Sequence, residues 1–311
     1  MIAKRSGGHD SFRNTHSTVR ASASAPLQGS RDLAQSPTSP MANQPILLGI
    51  PYDASSSYLL GTAGAPPLIR AALASTSSNS WSESLQDLGD PNALADAGDL
   101  DLSGDDPRHA IERGARDLIA KQHRPISLGG DHSITYPLLR AFRARYPRLS
   151  ILHIDAHADL YDEFEGDRYS HACPFARIME EALADRLVQV GIRTLTAHQR
   201  AQADRFDVEV IDMRSWVGGT HPKLSGPIYV SLDLDSLDPA FAPGVSHWEP
   251  GGLTVREVIT LVQGLGGTLV GADVVEYNPA RDPSGITAMV AAKLVKELAS
   301  RMLDDATRVS T

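Results

Sequence analysis

From residue 45 onward, short apolar runs alternate with stretches whose apolar residues recur at helical spacing. The runs are rich in Val, Ile and Leu and show little polar alternation, a pattern typical of parallel strands that are covered on both faces. They predict seven strands, at residues 46–50, 126–128, 149–154, 187–192, 208–211, 228–234 and 268–275.

Helix signals lie between these strands. Asp106 and Pro107 are typical of an N-cap followed by the first residue of a helix. Thr254 and Glu257 have the spacing of a capping box, and residues 284–303 carry apolar side chains at helical spacing. The alternation of strands and helices predicts an α/β fold, with one three-layer domain around a mainly parallel central sheet.

The first 44 residues differ from the predicted domain, which covers residues 45–305. They are rich in Ser, Thr and Pro and show little hydrophobic periodicity, and residues 1–45 hold five Lys or Arg and two Asp. We expect a disordered extension, or a leader that precedes a true start at Met41, with a mitochondrial or plastid transit peptide as the alternative. No apolar segment follows the basic residues, which excludes a secretory signal.

Charge and cysteine content exclude several classes of protein. The 311 residues include 29 Lys+Arg and 38 Asp+Glu, a net charge of −9, which disfavours nucleic acid as a partner. No apolar run reaches the roughly 18 residues of a membrane-spanning helix. Cys173 is the only cysteine, so internal disulfides are excluded and a reducing compartment is favoured. We therefore expect a cytoplasmic protein unless the leader is a transit peptide.

Residues capable of metal chemistry concentrate where three of the predicted strands end. In parallel sheets, ligands bind outside the carboxyl ends of the strands, so these side chains are expected to converge. The set comprises two histidines and four aspartates: His132, Asp155, His157, Asp159, Asp233 and Asp235.

Four clustered carboxylates repel one another, and no Lys or Arg lies inside these motifs to offset them. A divalent cation is the natural counter-charge. Two imidazoles and four carboxylates exceed the roughly three protein ligands of a catalytic zinc. They favour two oxygen-preferring ions, and the mixture of hard oxygen ligands with imidazole favours manganese.

The motifs resemble the three signatures of the ureohydrolase family, which comprises arginases, agmatinases and related guanidino hydrolases. They are residues 129–133 (GGDHS), 155–159 (DAHAD) and 231–239 (SLDLDSLDP). The resemblance extends over residues 46–302, and further stretches resemble the plant-type arginase/agmatinase branch: 164–166, 169–171, 175–179, 242–247, 271–276 and 287–293. It implies a three-layer α/β/α fold, two Mn²⁺ ions per subunit, and a homotrimer or homohexamer that hydrolyses a guanidino group to urea and an amine.

The resemblance also implies a role for each site residue. One manganese would be bound by His132 and Asp159, and the other by His157 and Asp235. Asp155 and Asp233 would be shared between the two ions. Glu276 is implied to grip the guanidinium group and His171 to move protons. Asp131 is expected to support the metal loop, and His153 is interpreted as a core histidine outside the site.

Two other classes of function remain open from the sequence. Cys173 lies two residues from His171, and cysteine–histidine enzymes attack guanidinium carbons through a thiolate. A non-catalytic subunit that retains the fold for assembly is the other alternative. Metal-dependent deacetylation of amines is disfavoured, because the paired aspartates suit two metal ions.

Substrate choice depends on the loop after Asp159. Residues 160–168 (LYDEFEGDR) hold four acids and one Arg, which favours a cationic tail over a carboxylate. The sequence therefore predicts hydrolysis of agmatine to putrescine ahead of L-arginine to ornithine, with other guanidino compounds behind both, although the plant-type resemblance favours arginine. The residues expected to contact the substrate tail are Tyr161, Ser246, His247 and Trp248.

Overall fold

A computed structural model describes residues 43–104 and 106–309. Within these residues lie eight strands: β1 (Pro45–Gly49), β2 (Ala95–Asp99), β3 (Arg124–Leu128), β4 (Ser150–Ile154), β5 (Arg186–Ile192), β6 (Glu209–Asp212), β7 (Pro227–Asp233) and β8 (Thr268–Val275). The same residues form eight α-helices: α1 (Ala65–Leu73), α2 (Pro107–Ala120), α3 (Thr135–Arg145), α4 (Pro174–Glu180), α5 (Ala197–Arg205), α6 (Met213–Val217), α7 (Val255–Gln263) and α8 (Ile286–Val309).

All eight strands belong to one sheet, in the order β2-β1-β3-β8-β7-β4-β5-β6. Every neighbouring pair is parallel. The predicted α/β fold with a parallel central sheet is thereby confirmed. The four central strands, β3, β8, β7 and β4, are those whose ends carry the candidate site residues.

Helices cover both faces of the sheet. Alternate residues of the strands other than β2 enter opposite cores; for example, Leu47 packs on one face of β1 and Leu48 on the other. Buried residues of α1, α6, α7 and α8 complete one core, and those of α2, α3, α4 and α5 complete the other. This double covering explains why the strands are apolar without alternation.

Local capping agrees with the sequence signals. The Asp106 carboxylate accepts a hydrogen bond from the backbone N–H of Arg108. Thr254 and Glu257 form a reciprocal capping box that starts α7. Both predicted helix starts are therefore confirmed.

Strand β2 was not predicted, because its sequence ADAGD is polar and depleted in β-forming residues. It lies at the sheet edge, where Arg70 of α1 pairs with Asp96 and Asp99. These ion pairs provide contacts that its small side chains cannot. Residues 1–42, which contain most of the predicted leader, lie outside the described residues. Among those described, no helix is both long and apolar enough to cross a membrane.

Candidate active site

The carboxyl ends of the four central strands bring the predicted ligands together. β3 leads into His132, β4 into Asp155, and β8 into Glu276, while Asp233 is the last residue of β7. Two groups of potential ligand atoms form there, each with all its atoms within 4.8 Å of one another, and Asp155 belongs to both groups. The convergence expected from strand ends is therefore present.

One half of this cluster, the inner half, surrounds His132 deep in the protein. The imidazole is 1% exposed, and its Nδ1 lies 3.0–3.1 Å from one oxygen of each of three aspartates: Asp155, Asp159 and Asp233. None of these oxygens is aligned for a hydrogen bond, so Nδ1 has no such partner among the described residues. Burial lowers the pKa of His132, but the three carboxylates outweigh burial and raise it well above its usual value.

The other half, the outer half, comprises His157, Asp235 and the shared Asp155. The Nδ1 atom of His157 lies 3.1 Å from Asp235 Oδ2 and 3.5 Å from Asp155 Oδ1. The His157 ring is 24% exposed, and its Nε2 lies 3.6 Å from Glu249 Oε1. Burial and the charge of neighbouring Asp155 outweigh His157 and raise the pKa of Asp235 to about 6.

The donor set fits divalent cations. Among the described residues, no Lys or Arg forms an ion pair with any of the four clustered carboxylates, and their only ionic partners are histidines. Burial and the charges of Asp235 and Asp155 raise the pKa of Asp233 well above its usual value. Such crowding of negative charge in the interior requires a positive charge, and the unpartnered His132 Nδ1 faces the place where it would lie.

Glu276 lies next to the cluster at the end of β8. Its Oε1 accepts hydrogen bonds from the backbone N–H of His132 and from His171 Nδ1, each at 2.9 Å. Its Oε2 is buried and has no hydrogen-bond partner among the described residues. A buried, unpartnered carboxylate oxygen is suited to accept an N–H group from a cationic substrate.

His171 is held between Glu276 and the loop after β1. The Ser57 backbone N–H donates to His171 Nε2 at 3.1 Å, and the Ser57 hydroxyl lies 2.8 Å from the same atom. Burial lowers the pKa of His171, but the charge of Glu276 outweighs it and raises the pKa to about 9. The amide contact instead favours a neutral ring, with Nδ1–H donating to Glu276. Cations bound nearby would oppose an additional positive charge and so also favour the neutral ring.

A cavity of about 240 Å³ opens above both groups of side chains. Its floor includes His157, Asp233, Glu276 and His171. Its walls consist mainly of neutral polar and aromatic residues: Ser57, Tyr161, Phe164, Thr194, Gln199 and His247. A small substrate can therefore place one end at the carboxylates and the other against a wall without acidic groups.

Of the four residues expected to contact a substrate tail, the structure brings two to the cavity, Tyr161 and His247. Ser246 instead points into the protein, where its hydroxyl donates to the Leu59 carbonyl and accepts from Asn278. Trp248 is 52% exposed, and its indole N–H donates to the Pro243 carbonyl. These two side chains are therefore not among those that line the cavity.

Asp131 joins two loops that carry site residues. Its carboxylate accepts hydrogen bonds from the backbone N–H of Ser55 at 2.9 Å and of Ser133 at 3.0 Å. Burial and the charge of Glu276 raise the pKa of Asp131 to about 7. These contacts match the supporting position expected for it.

His153 contacts the site more closely than the sequence interpretation allowed. It is fully buried and stacks on Phe175, as a core histidine would, but its Nε2 lies 2.7 Å from Asp155 Oδ2. Gln189 Nε2 lies 3.0 Å from the other ring nitrogen of His153. The strand period was the available signal, because His153 and Asp155 are two residues apart and share a face.

Arg193 holds the loop that carries Asp235. Its guanidinium is partly buried and donates to the backbone carbonyls of Asp235 at 2.7 Å and of Ser236 at 3.1 Å. It also donates to the carbonyls of Gly191 and Glu249. This residue carried no motif in the sequence, since its partners are backbone atoms.

Comparison with known proteins agrees with this geometry. A model of the arginase family matches residues 43–300. The chain belongs to the arginase family. It is 48% identical over 275 residues to the mitochondrial arginase 1 of Arabidopsis thaliana, covering 82% of this chain and 80% of that protein. It is 38% identical over 291 residues to guanidinopropionase of Pseudomonas aeruginosa, covering 87% of this chain and 90% of that protein.

A solved structure shows the same fold. The arginase of Medicago truncatula superposes on this arginase-family protein with a TM-score of 0.79 and 45% identity, covering 83% of this chain and 87% of that one. The predicted ureohydrolase family and plant-type resemblance are confirmed. This protein is therefore a metal-dependent ureohydrolase that acts on small guanidino substrates.

The cysteine-dependent alternative has no support in this arginase-family protein. Cys173 is buried, and its thiol lies 3.7 Å from the Asp167 carbonyl, to which it donates. Burial and the nearby charge of Asp159 raise its pKa to about 12, which disfavours the reactive thiolate.

Proposed function

We propose that this protein hydrolyses L-arginine to urea and ornithine, with the guanidinium group bound at Glu276. The observation that carries the guanidinium site is Glu276 Oε2, a buried acceptor without a partner beside the carboxylate cluster. The choice of arginine is supported by the relatives named arginase, which are 45–48% identical to this chain. The sequence instead favoured agmatine.

The acids of the loop after Asp159, which favoured agmatine in the sequence, do not place uncompensated negative charge in the cavity. The Asp162 carboxylate pairs with Arg168 at 3.0 Å and with Arg177 at 3.1 Å, so its charge is compensated. The other three acids of residues 160–168 do not line the cavity. The cavity wall therefore offers hydroxyl and amide groups that can bind the amino and carboxylate groups of an amino acid.

The proposed ligand set follows the two halves of the cluster. One ion would be held by His132 and Asp159 and the other by His157 and Asp235, with Asp155 and Asp233 shared. We propose Mn²⁺ for both ions. When bound, such ions supply a nucleophilic water at neutral pH and stabilise developing negative charge.

Two residues would handle the substrate. Glu276 Oε2 accepts guanidinium N–H groups and orients the planar cation. His171 lies within hydrogen-bonding distance of Glu276 and at the cavity floor. There the neutral ring can take up the proton that the attacking water loses and then pass it to the departing amine.

Urea release from matched substrates tests the proposed function. The Mn²⁺-loaded protein would be assayed with L-arginine, agmatine, 3-guanidinopropionate and 4-guanidinobutyrate under identical conditions. We expect kcat/KM to be at least about 10-fold higher for L-arginine than for agmatine, which corresponds to about 1.4 kcal/mol of discrimination. A higher kcat/KM for agmatine would support the prediction made from sequence and overturn the arginine proposal.

We propose further that residues 45–305 form the catalytic domain and that residues 1–40 are dispensable for activity. A chain starting at Met41 is expected to be soluble and to release urea like the full chain. Loss of soluble protein would contradict this.

The cytoplasmic location stays a prediction, and the leader's composition together with the relatives named mitochondrial supports an organelle instead. A fluorescent fusion with and without the leader distinguishes the two.

We also propose that the protein forms the homotrimer or homohexamer that the family resemblance implies. Sedimentation equilibrium of the Mn²⁺-loaded protein is expected to give three or six subunits. A monomer at assay concentration would contradict it.

A further inference from the structure

A buried carboxylate that the proposed reaction does not use lies directly below the inner half. Asp273 is in the middle of β8 and is fully buried. It accepts hydrogen bonds from three hydroxyl groups: Ser231 at 2.8 Å on Oδ1, and Tyr229 at 2.8 Å and Thr135 at 2.9 Å on Oδ2. With three donors directed at its two oxygens, this side chain acts only as an acceptor.

Ser231 connects this carboxylate to His132. A serine hydroxyl has a single hydrogen, and the one on Ser231 is donated to Asp273. The Ser231 oxygen also lies 2.9 Å from His132 Nε2 and can only accept there. His132 must therefore carry a proton on Nε2, so the neutral ring has its lone pair on Nδ1.

The His132 Nδ1 lone pair faces the inner half of the cluster. This atom is buried, lacks an aligned hydrogen-bond partner among the described residues, and lies 3.0–3.1 Å from oxygens of three aspartates. A neutral imidazole binds a metal ion through an unprotonated nitrogen, and its tautomer is set by the partner of the other nitrogen.

We propose that Asp273, acting through the Ser231 hydroxyl, is a positioning residue that fixes His132 in the tautomer able to bind a cation. This inference rests on the proposed metal-binding role of His132. Asp273 touches neither substrate nor cation; it determines the direction of one hydroxyl hydrogen, and that direction determines which ring nitrogen is free.

We call the hydrogen-bonded series from Asp273 through Ser231 to His132 the relay. It predicts an unusual ranking of two substitutions. In Asp273→Asn, the hydroxyls of Tyr229 and Thr135 both donate toward the position of Oδ2, so the amide oxygen is favoured there. The amide NH₂ group then faces Ser231 and donates to it. The Ser231 hydrogen must turn toward His132 Nε2, which drives the ring proton onto Nδ1 and blocks the metal-binding nitrogen.

Ser231→Ala has a milder effect on the same ring. It removes the partner of Nε2 but imposes no tautomer, so His132 can still present Nδ1 at some energetic cost. The isosteric Asp273→Asn should therefore damage the inner half more than the truncation Ser231→Ala. A residue that only fills space would give no such ranking.

Mn²⁺ binding to the full-length protein tests the relay. After removal of metal by chelation, each variant would be titrated with Mn²⁺ and followed by electron paramagnetic resonance and calorimetry. We expect two ions per subunit in the wild type. In Asp273→Asn, binding of one ion should weaken by about 10- to 100-fold, as for other residues that orient a ligand, while the other ion is retained. Ser231→Ala should show a smaller loss.

Tyr229→Phe is the matched control, because it removes one donor to Asp273 and leaves the path to His132 intact. It should bind both ions with wild-type affinity. If Asp273→Asn does not fold, nitrogen NMR of the metal-free wild type and of Ser231→Ala, at a pH high enough for His132 to be neutral, still decides the question. The His132 signals, assigned with a His132→Asn variant, should show a protonated Nε2 in the wild type and a tautomer mixture in Ser231→Ala.

Two results would overturn the relay: wild-type binding of both ions by Asp273→Asn, or a neutral His132 ring in the wild type that carries its proton on Nδ1. Either leaves the proposed function intact, provided that the wild type binds Mn²⁺ and releases urea from L-arginine. A wild type that binds no Mn²⁺ and releases no urea would instead contradict the proposed function itself.

Discussion

The two halves of the candidate metal cluster use the same kinds of ligand in very different surroundings. His132 of the inner half is 1% exposed and has Ser231 on its second ring nitrogen. His157 of the outer half is 24% exposed, and its second nitrogen lies 3.6 Å from Glu249, beyond hydrogen-bonding distance. The interior of the fold therefore fixes the inner half, whereas loops at the cavity position the outer half.

The shared Asp155 links the two surroundings. Its Oδ2 faces His132 and His153, while its Oδ1 accepts the backbone N–H of His157 at 2.7 Å. The comparison teaches that burial and hydrogen-bond support are graded across the cluster. Both are greatest around His132 and least around His157, at the cavity.

The largest expected effect follows from removing the shared carboxylate. Asp155→Asn takes a charged ligand from both halves, so urea release should fall by more than the roughly 10²-fold loss expected for a supporting residue. Asp233→Asn should behave alike, and Asp159→Asn and Asp235→Asn should cost less. Bound Mn²⁺ per subunit and kcat/KM measure this. Equal losses in Asp155→Asn and Asp235→Asn would contradict a shared position.

The next effect separates binding from proton transfer at the cavity floor. His171→Asn should lower kcat by about 10²–10⁴-fold with KM nearly unchanged, as expected when a proton-transfer group is lost. Glu276→Gln should lower kcat and raise KM together, because its charge binds the guanidinium in every state. Steady-state kinetics with L-arginine measure both. Cys173→Ala serves as the control and should stay active; a dead control beside an active His171→Asn would reverse the assignment.

A smaller effect should follow from loosening the outer half alone. Arg193→Lys cannot reproduce the fan of hydrogen bonds to the carbonyls around Asp235, so buried acceptors lose partners. We expect the free energy of unfolding to fall by about 1–3 kcal/mol and the more weakly bound Mn²⁺ to weaken further. Thermal unfolding and metal titration measure this, with the exposed Arg200→Lys as control. Unchanged metal binding would show that the loop does not depend on Arg193.

The smallest effect concerns Glu249, which contributes charge to the outer half without a hydrogen bond. Glu249→Gln should raise the Kd of the outer ion by less than about 10-fold, since aligned supporting partners cost at least that much. The inner ion should be unaffected. Glu163→Gln, an exposed acid that does not line the cavity, is the control. A change in both ions would show that the halves are less independent than their surroundings indicate.

The fold could be predicted from the sequence because buried parallel strands have a recognisable apolar pattern. Strands buried on both faces must be apolar throughout, and each of the seven predicted runs overlaps a strand of the sheet. Strand β2 was not predicted, because an edge strand with an exposed face tolerates Asp, Ala and Gly. Several helices, such as α4, were not predicted because tertiary contacts, rather than caps or clear periodicity, stabilise them.

The candidate site was predictable only in its strand-end part. Local spacing placed His157 beside Asp155, and the topology of parallel strands brought the other motifs to them. Ser57 lies on the loop after β1 and Gln199 in the first turn of α5, and both reach the cavity only through the tertiary fold. The backbone of Asp159 and Glu276 adopts φ values of 47° and 64°, in the left-handed region that costs a non-glycine residue about 1–2 kcal/mol. No motif reveals such strain.

The contact between His132 and Ser231 joins residues 99 positions apart in the chain. It can form only after β3, β8 and β7 have paired, so a cation held by His132 binds a nearly complete fold. A ligand that binds only the folded chain stabilises it, by about 2.7 kcal/mol at a concentration 100 times its Kd. With the proposed ions, metal supply would set the lifetime of the protein in the cell as well as its rate of turnover.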